Sequence, residues 1–254
     1  MIRGIYAAAS SMVSNRRREL IVANNLANVS TDGYKQDVAV PSDFPSMPVV
    51  GTGETGNPLA SPWEAIGSVG TGMDLSEILV DVSQGDLVET GNPLDLAITG
   101  SGFFTVQTAN GTLYTRDGTF FRDPNGNLAR ADGGLLLGDK GPIQVGQGDV
   151  VVDGDGTVSV GGKVAGKIKL SDFDPKERLV KVGNNYLTPA DPNAQVQAAK
   201  GAAVSQGFVE RSNVDLNRQM VEMMSAMRSY EANQKIITLQ DQMLGLTVNE
   251  VGKV

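Results

Sequence analysis

The chain is 254 residues long, 40% hydrophobic, with a formal net charge of −8; this is enough apolar material for one domain of ordinary size or two small ones. Such acidity argues against nucleic acid as a partner, because phosphate contacts need clustered Lys and Arg, and equally against an anionic membrane surface. With no Cys and no His, the chain has no thiol or imidazole nucleophile, no zinc site built on nitrogen or sulfur, and no disulfide.

The charge is unevenly spread. Residues 1–27 carry four arginines (Arg3, Arg16, Arg17 and Arg18) against Glu19 alone, and residues 210–254 carry five cations against six acids. The remaining 28–209 holds 12 cations and 22 acids, so the acidity belongs to the interior and the ends are a different kind of structure. The first residues lack a leading basic region and a long apolar run, so export without a cleavable signal peptide is expected. No stretch is long and apolar enough to span a bilayer, so no membrane insertion is expected.

At the N-terminus, Tyr6, Ala9, Val13, Leu20, Ala23 and Ala27 recur at heptad spacing, with Arg16 the one break. This pattern predicts a helix with a narrow apolar seam, and the small residues from Ala7 to Ser11 permit close approach of a partner helix. Asn25 and Asn28 lie three apart on one face, where their amides can satisfy backbone groups at a crowded helix end. Gly33 supplies the permissive backbone of the stop. Residues 36–72 hold five of the eleven prolines and read as an extended connector with short edge strands.

From 73 to 209 the texture is β. Asn110-Gly111, Asp117-Gly118, Asn125-Gly126, Asp132-Gly133 and Asp153-Gly154 punctuate short apolar or alternating runs, as turns of a mainly antiparallel sheet do. Phe103, Phe104, Phe120, Phe121 and Phe173 are the expected core and bends. The C-terminal segment then gives the clearest signal of all. Leu216, Met220, Met223, Met227, Tyr230, Gln234, Ile237, Asp241, Leu244, Val248 and Val251 follow 4,3 spacing without interruption, which predicts one helix of about 35 residues and about 50 Å. Ser212 or Asn213 is the expected N-cap.

Three blocks are similar to the flagellar basal-body rod protein family. The first runs from Ala23-Asn24-Asn25-Leu26-Ala27-Asn28 to Asp32-Gly33-Tyr34-Lys35. The second runs from Gly91-Asn92-Pro93-Leu94-Asp95 through Gly102-Phe103-Phe104 to Tyr114-Thr115-Arg116-Asp117-Gly118. The third is Ser212-Asn213-Val214-Asp215 leading into Met220-Val221-Glu222-Met223-Met224 and Arg228-Ser229-Tyr230-Glu231-Ala232-Asn233. The resemblance implies an α+β fold in which the N- and C-terminal helices form a coiled-coil-like domain in a filament core, with an inserted, mainly antiparallel β domain outside it. The expected boundaries are 1–35 and 210–254 for the helical domain, 36–72 for the connector and 73–209 for the β domain. It further implies a structural subunit without cofactor or metal, in the periplasmic rod of the basal body. Its partners would be copies of itself, other rod and hook axial proteins, and the flagellar export apparatus.

Other motifs fall away. Gly51-Thr52-Gly53-Glu54-Thr55-Gly56 has glycines at dinucleotide-loop spacing but lies among prolines rather than between a strand and a helix. Asp123-Pro124-Asn125-Gly126-Asn127 opens like a calcium loop and then places Leu128 where that loop needs glycine; a hairpin turn is expected. Two other classes stay in play: a cell-wall glycan-cleaving enzyme built on paired carboxylates, and a β-rich envelope scaffold or adhesive module on a helical stalk. If the two terminal helices run antiparallel with facing numbers that sum to about 242, Arg3 lies within a turn of Asp241, and an ion pair between them would set the register.

Overall fold

A computed structural model describes residues 2–44, 46–51, 64–70, 72–174, 177–199 and 201–251, with side chains at all of these except 2, 3, 43, 50, 51, 64–66, 250 and 251. Most of the glycine-rich segment 51–56 therefore lies outside the described residues. The fold is α+β, with a helix at each end and a mainly antiparallel, β-rich middle. The chain divides into two units: one comprises Met1–Asn24, Ala39–Ile78 and Asn217–Val254, the other Asn25–Val38 and Leu79–Leu216.

The first unit holds most of α1 (Ile2–Ala27) and α2 (Leu216–Leu246), the latter continued by one π-helical turn at Thr247–Val251. α1 has no proline, and no glycine after Gly4, so nothing in it opposes helix propagation. Its early residues meet late residues of α2 and the reverse: Gly4 abuts the Gln240 side chain, and the Arg18 guanidinium lies 4.0 Å from Glu222. Asp37–Asp43 pairs with Met73–Val80, and Met47–Gly51 with Glu64–Val69. Pro41 and Pro48 thus sit in two-stranded sheets, where the lost N–H can face away from the partner. Gly72 passes so near α1 that a Cβ would meet Ser10 Oγ at 2.3 Å.

The second unit is built on a ten-stranded antiparallel sheet whose path runs Leu179–Gly183, Tyr186–Pro189, Gly111–Thr115, Phe103–Thr108, Leu135–Gly138, Leu128–Ala129, Phe121–Arg122. A three-stranded sheet, Val150–Val152, Thr157–Val160 and Lys163–Lys167, lies beside it in sequence. The core joins Leu96, Phe104, Leu136, Val158 and Ile168, with Phe104 and Phe120 edge to face at 5.4 Å. Phe103, Tyr114 and Leu187 form a smaller cluster against half-buried Phe173. Phe121 does not join the core; it is 42% exposed, because it alternates with buried Phe120 at the sheet's end.

Two turn and cap expectations change. Asp117-Gly118 is no hairpin turn: a Cβ on Gly118 would meet the Leu96 carbonyl oxygen at 1.5 Å, so the glycine lets the backbone pass close against Leu96, whose N–H bonds the Gly118 carbonyl. Neither Ser212 nor Asn213 caps α2, since the Asn213 amide is occupied elsewhere; Asp215 directly precedes the helix. Asp123 does close the expected turn, accepting from the Asn127 N–H at 2.7 Å.

The close approach at Gly118 has a direct test. Gly118→Ala should lower the stability of the β unit by about 3 kcal/mol or more, whereas Gly154→Ala, at a position where a Cβ meets nothing within 4 Å, should change it by under about 1 kcal/mol. Urea unfolding of the two variants checks this.

Candidate functional site

The residues that the sequence assigns to assembly fall into two groups. On α1, Tyr6, Val13 and Leu20 stand 69%, 54% and 58% exposed in one line, with Ala23 and Ala27 exposed beside them and Ala9 half-buried. The opposite face turns inward through Ala8, Ser14 and Val22. On α2, Leu216, Met220, Met227 and Val248 are exposed, Tyr230 less so, and Met223, Ile237 and Leu244 are half-buried. The less exposed side of α2 alternates these three with Gln219, Ala226, Asn233 and Gln240. Gln234 and Asp241 are exposed. The Arg3 and Val251 side chains lie outside the described residues, so the Arg3–Asp241 pair does too.

The N-terminal half of the stripe on α1 borders an apolar hollow of about 450 Å³ lined by Tyr6, Ala9, Ser10, Val13 and Phe44. A further apolar line, Ile236, Leu239, Met243 and Leu246, repeats at 3,4,3 spacing on the second half of α2, each 43–58% exposed. Sequence reasoning missed it because only one heptad register was counted. The spacing itself was the signal.

Within the β unit the segments that follow α1 and precede α2 meet in a polar junction. Asn25, 1% exposed, donates to the Asp37 carbonyl at 2.8 Å and accepts from the Asp37 N–H at 2.9 Å and the Tyr34 hydroxyl at 3.0 Å. The expected use of an asparagine amide on backbone groups is thus met at Asn25, while Asn28 accepts from the Thr31 hydroxyl. Lys181 sits 3.8 Å above the Tyr34 ring and 2.9 Å from Asp37. Burial lowers the Lys181 ammonium from its usual value, with Asp37 opposing.

Beside this lies a buried ion cluster. Glu210 receives Lys35 at 2.5 Å and the Gly85 N–H at 2.9 Å on one oxygen, and Arg116 at 2.9 Å on the other. Lys35 also donates to the Ser83 carbonyl, and Arg116 to those of Ile98 and Gly100. All three side chains are 3% exposed or less. Desolvation lowers the Lys35 ammonium from its usual value, with Glu210 pulling it back. Gln36 and Asn213 complete the lattice: Asn213 accepts from the Gln36 N–H and donates to the Asp81 carbonyl. Burial raises the Asp81 carboxyl, but bonds from Ser83 and Gln36 outweigh it and hold it below its usual value. Gly33, at φ +67°, runs so close to the Asp117 backbone that any Cβ would overlap it.

These groups are bonded to one another, an arrangement that fixes segments rather than holding a substrate. A groove of about 530 Å³ contains Asp139 and Asp155. Asp155 accepts from Thr157 and is held below the usual carboxylate range by those bonds, Lys167 adding to them; a general acid for glycoside cleavage needs the opposite shift. Among the described residues no group of three or more acids could hold a metal.

Three family models match: "Flagella basal body rod protein" over residues 5–35, "Flagellar hook protein FlgE/F/G D1 domain" over 97–160, and "Flagellar basal body rod FlgEFG protein C-terminal" over 205–250. The flagellar hook-basal body complex protein FlhO of Bacillus subtilis is 34% identical, covering 100% of both chains. The flagellar basal-body rod protein FlgG of the same organism is 33% identical over 98% of this chain and 99% of its own, and FlgF of Caulobacter vibrioides 32% identical over 100% of both. The chain belongs to the flagellar basal-body rod protein family. Each matched segment of this rod protein contributes one member of the buried cluster: Lys35, Arg116 and Glu210.

None of the three was identified as a site residue from the sequence. Lys35 and Arg116 lie inside the blocks that carry the resemblance, but no spacing links them, and nothing around Glu210 distinguishes it from the other acids. Two outcomes follow from the junction. Asn25→Ala should destabilise the β unit by about 2–3 kcal/mol, since it removes the bonds to the Asp37 backbone N–H and carbonyl and to the Tyr34 hydroxyl, as read by denaturant unfolding. The second concerns alkali. Burial, with the nearby Arg130 charge opposing and the bond to Asp132 helping, pushes the Tyr186 phenol up to about 12, and burial raises Tyr34 as well. A raised folded pKa means stability that is complete below the unfolded value near 10 and lost as pH climbs through the folded one. Unfolding should therefore become easier between pH 10 and 12, and Tyr186→Phe should flatten that decline by about 1–2 kcal/mol.

Proposed function

We propose that the chain is a structural subunit of the flagellar basal-body rod that self-assembles through its terminal helices and transmits torque across the periplasm. The observation that carries this reading is the pair of apolar stripes at heptad spacing, left facing water on α1 and α2 of a rod-family chain. A narrow a/d stripe is the pattern that partner helices cover. Its partners are copies of itself and the other axial proteins of rod and hook, with delivery by the export apparatus. The proposed filament-core domain takes residues 1–35 and 210–254, with 36–72 the connector and 73–209 the outer β domain; its inner ends, Asn25 to Lys35 and Glu210 to Leu216, belong to the compact β unit.

Within the core domain the two helices pair in coiled-coil fashion. The contacts of residue 4 with 240 and of 18 with 222 support an antiparallel pairing whose facing numbers sum to about 242. The segments 137–143 and 248–254 resemble the proximal rod protein most, with the distal rod protein the close alternative. Relatives named FlgF and FlgG match at nearly equal identity, so they support the rod family without favouring either rod protein.

Leu20→Asp and Met227→Asp should leave the isolated subunit's stability within about 0.5 kcal/mol, both positions being exposed, yet abolish assembly, because a charge trapped in a packed seam costs several kcal/mol. Motility of complemented cells and sedimentation of the purified protein check this; normal motility with both variants would refute the seam. The register pair is tested separately. Arg3→Ala and Asp241→Ala should be non-additive in the same assembly assay, and additive losses would dispose of the pair.

A further inference from the structure

Glu210 is the only carboxylate within hydrogen-bonding distance of two buried cations, among the described residues. The cations arrive from remote parts of the sequence: Lys35 beyond the end of α1, Arg116 at the end of the strand Gly111–Thr115. The carbonyls that hold them in place, those of Ser83, Ile98 and Gly100, belong to two further segments, and the first of these also gives the Gly85 N–H to Glu210. Glu210 also closes the strand Phe208–Glu210 on Leu87–Glu89, and its carbonyl accepts from the Gly33 N–H at 2.7 Å. Without this carboxylate, two desolvated cations face each other with their nearest counterion gone, and removing one member of a buried pair costs far more than the pair itself contributes.

We propose that Glu210 is a latch: the β unit closes around Lys35 and Arg116 only when the segment carrying residue 210 is in place, so the whole unit, and not the junction alone, depends on this one carboxylate. The chain up to residue 209 then has both cations and no means of burying them. Such a chain stays open until its last fifth is available. For a subunit delivered by an export apparatus this keeps an incomplete or threaded chain unfolded. That consequence rests on the function proposed above; the latch and its test do not.

The test is hydrogen exchange on the full-length protein. Strands Phe103–Thr108, Leu135–Gly138 and Thr157–Val160 contain none of the three charged residues. In Glu210→Gln, which keeps the shape and removes the charge, protection in all three strands should fall at least about 100-fold. Adding Lys35→Met, which removes the surplus cation, should recover at least about 10-fold of it. Loss confined to residues near 83–85, 98–100, 115–117 and 208–211 would overturn the proposal, because the cluster would then be a local contact. Failure of Lys35→Met to recover protection would also overturn it, since the penalty would not be one of charge. Should Glu210→Gln yield no soluble protein, soluble folded Lys35→Met/Glu210→Gln supports the latch and an equally insoluble double variant overturns it.

Discussion

Lys35 and Arg116 bind opposite oxygens of Glu210 in a site that excludes water. A cluster of this kind is weak evidence of net stability, since desolvating three ions costs about what their attraction returns. Its effect is on alternatives. Any arrangement that leaves one member out carries an unpaired buried charge, so the three segments that supply the members have to come together in one way. Asn25, Asn213 and Gln36 work in the same direction with neutral groups: the Asn25 and Asn213 amides donate to the backbone carbonyls of Asp37 and Asp81, and Gln36 gives its N–H to Asn213 and its side-chain amide to the Asp81 carboxylate. The path of the chain out of α1 and into α2 is thereby fixed by polar bonds, while the apolar core lies farther into the β unit, around Phe104 and Val158.

This division of labour explains what the sequence disclosed and what it did not. Helices announce themselves through periodicity, and both were legible as elements with nearly correct limits. The β texture was legible from turn dipeptides, although Asp117-Gly118 misled: a glycine required for close approach to Leu96 has the same letters as one required for a turn. The ion cluster was not legible. Its members lie 81 and 94 positions apart (35 to 116, 116 to 210), and burial of a charge depends on packing by segments that no local pattern connects. The Ser212/Asn213 cap failed for a related reason. Capping is a local rule, but Asn213 had a stronger long-range use.

The two helices show a different limit. A heptad count finds a seam and cannot tell whether the subunit or its neighbour covers it. α2 carries apolar residues on more than one side: Met223, Ile237 and Leu244 half-buried, Met220 and Met227 exposed, and Ile236, Leu239, Met243 and Leu246 exposed on another line. One stripe needs one partner; several stripes on a single helix exceed what one antiparallel neighbour can cover, because a two-stranded contact buries only the a and d positions. On the function proposed above, the remaining stripes are surface for further helices, the arrangement that a lattice of subunits supplies and an isolated subunit does not.

Exposure of this kind has a physical cost that a monomer would have no reason to bear. The large side chains on the α1 stripe, Tyr6, Val13 and Leu20, are each over half exposed, and fully burying a residue of this kind is worth about 1.5–3 kcal/mol. Replacing them by charged residues would make the lone subunit more soluble without touching its core. On the proposed function, their presence at seven-residue spacing, Tyr6 to Val13 to Leu20, is accounted for by surfaces that become interior only on assembly. The buried ion cluster and the bare stripes are then, on that proposal, two halves of one arrangement: polar bonds within the β unit fix the segments that follow α1 and precede α2, and unpaired apolar surface gives the helices a reason to find neighbours.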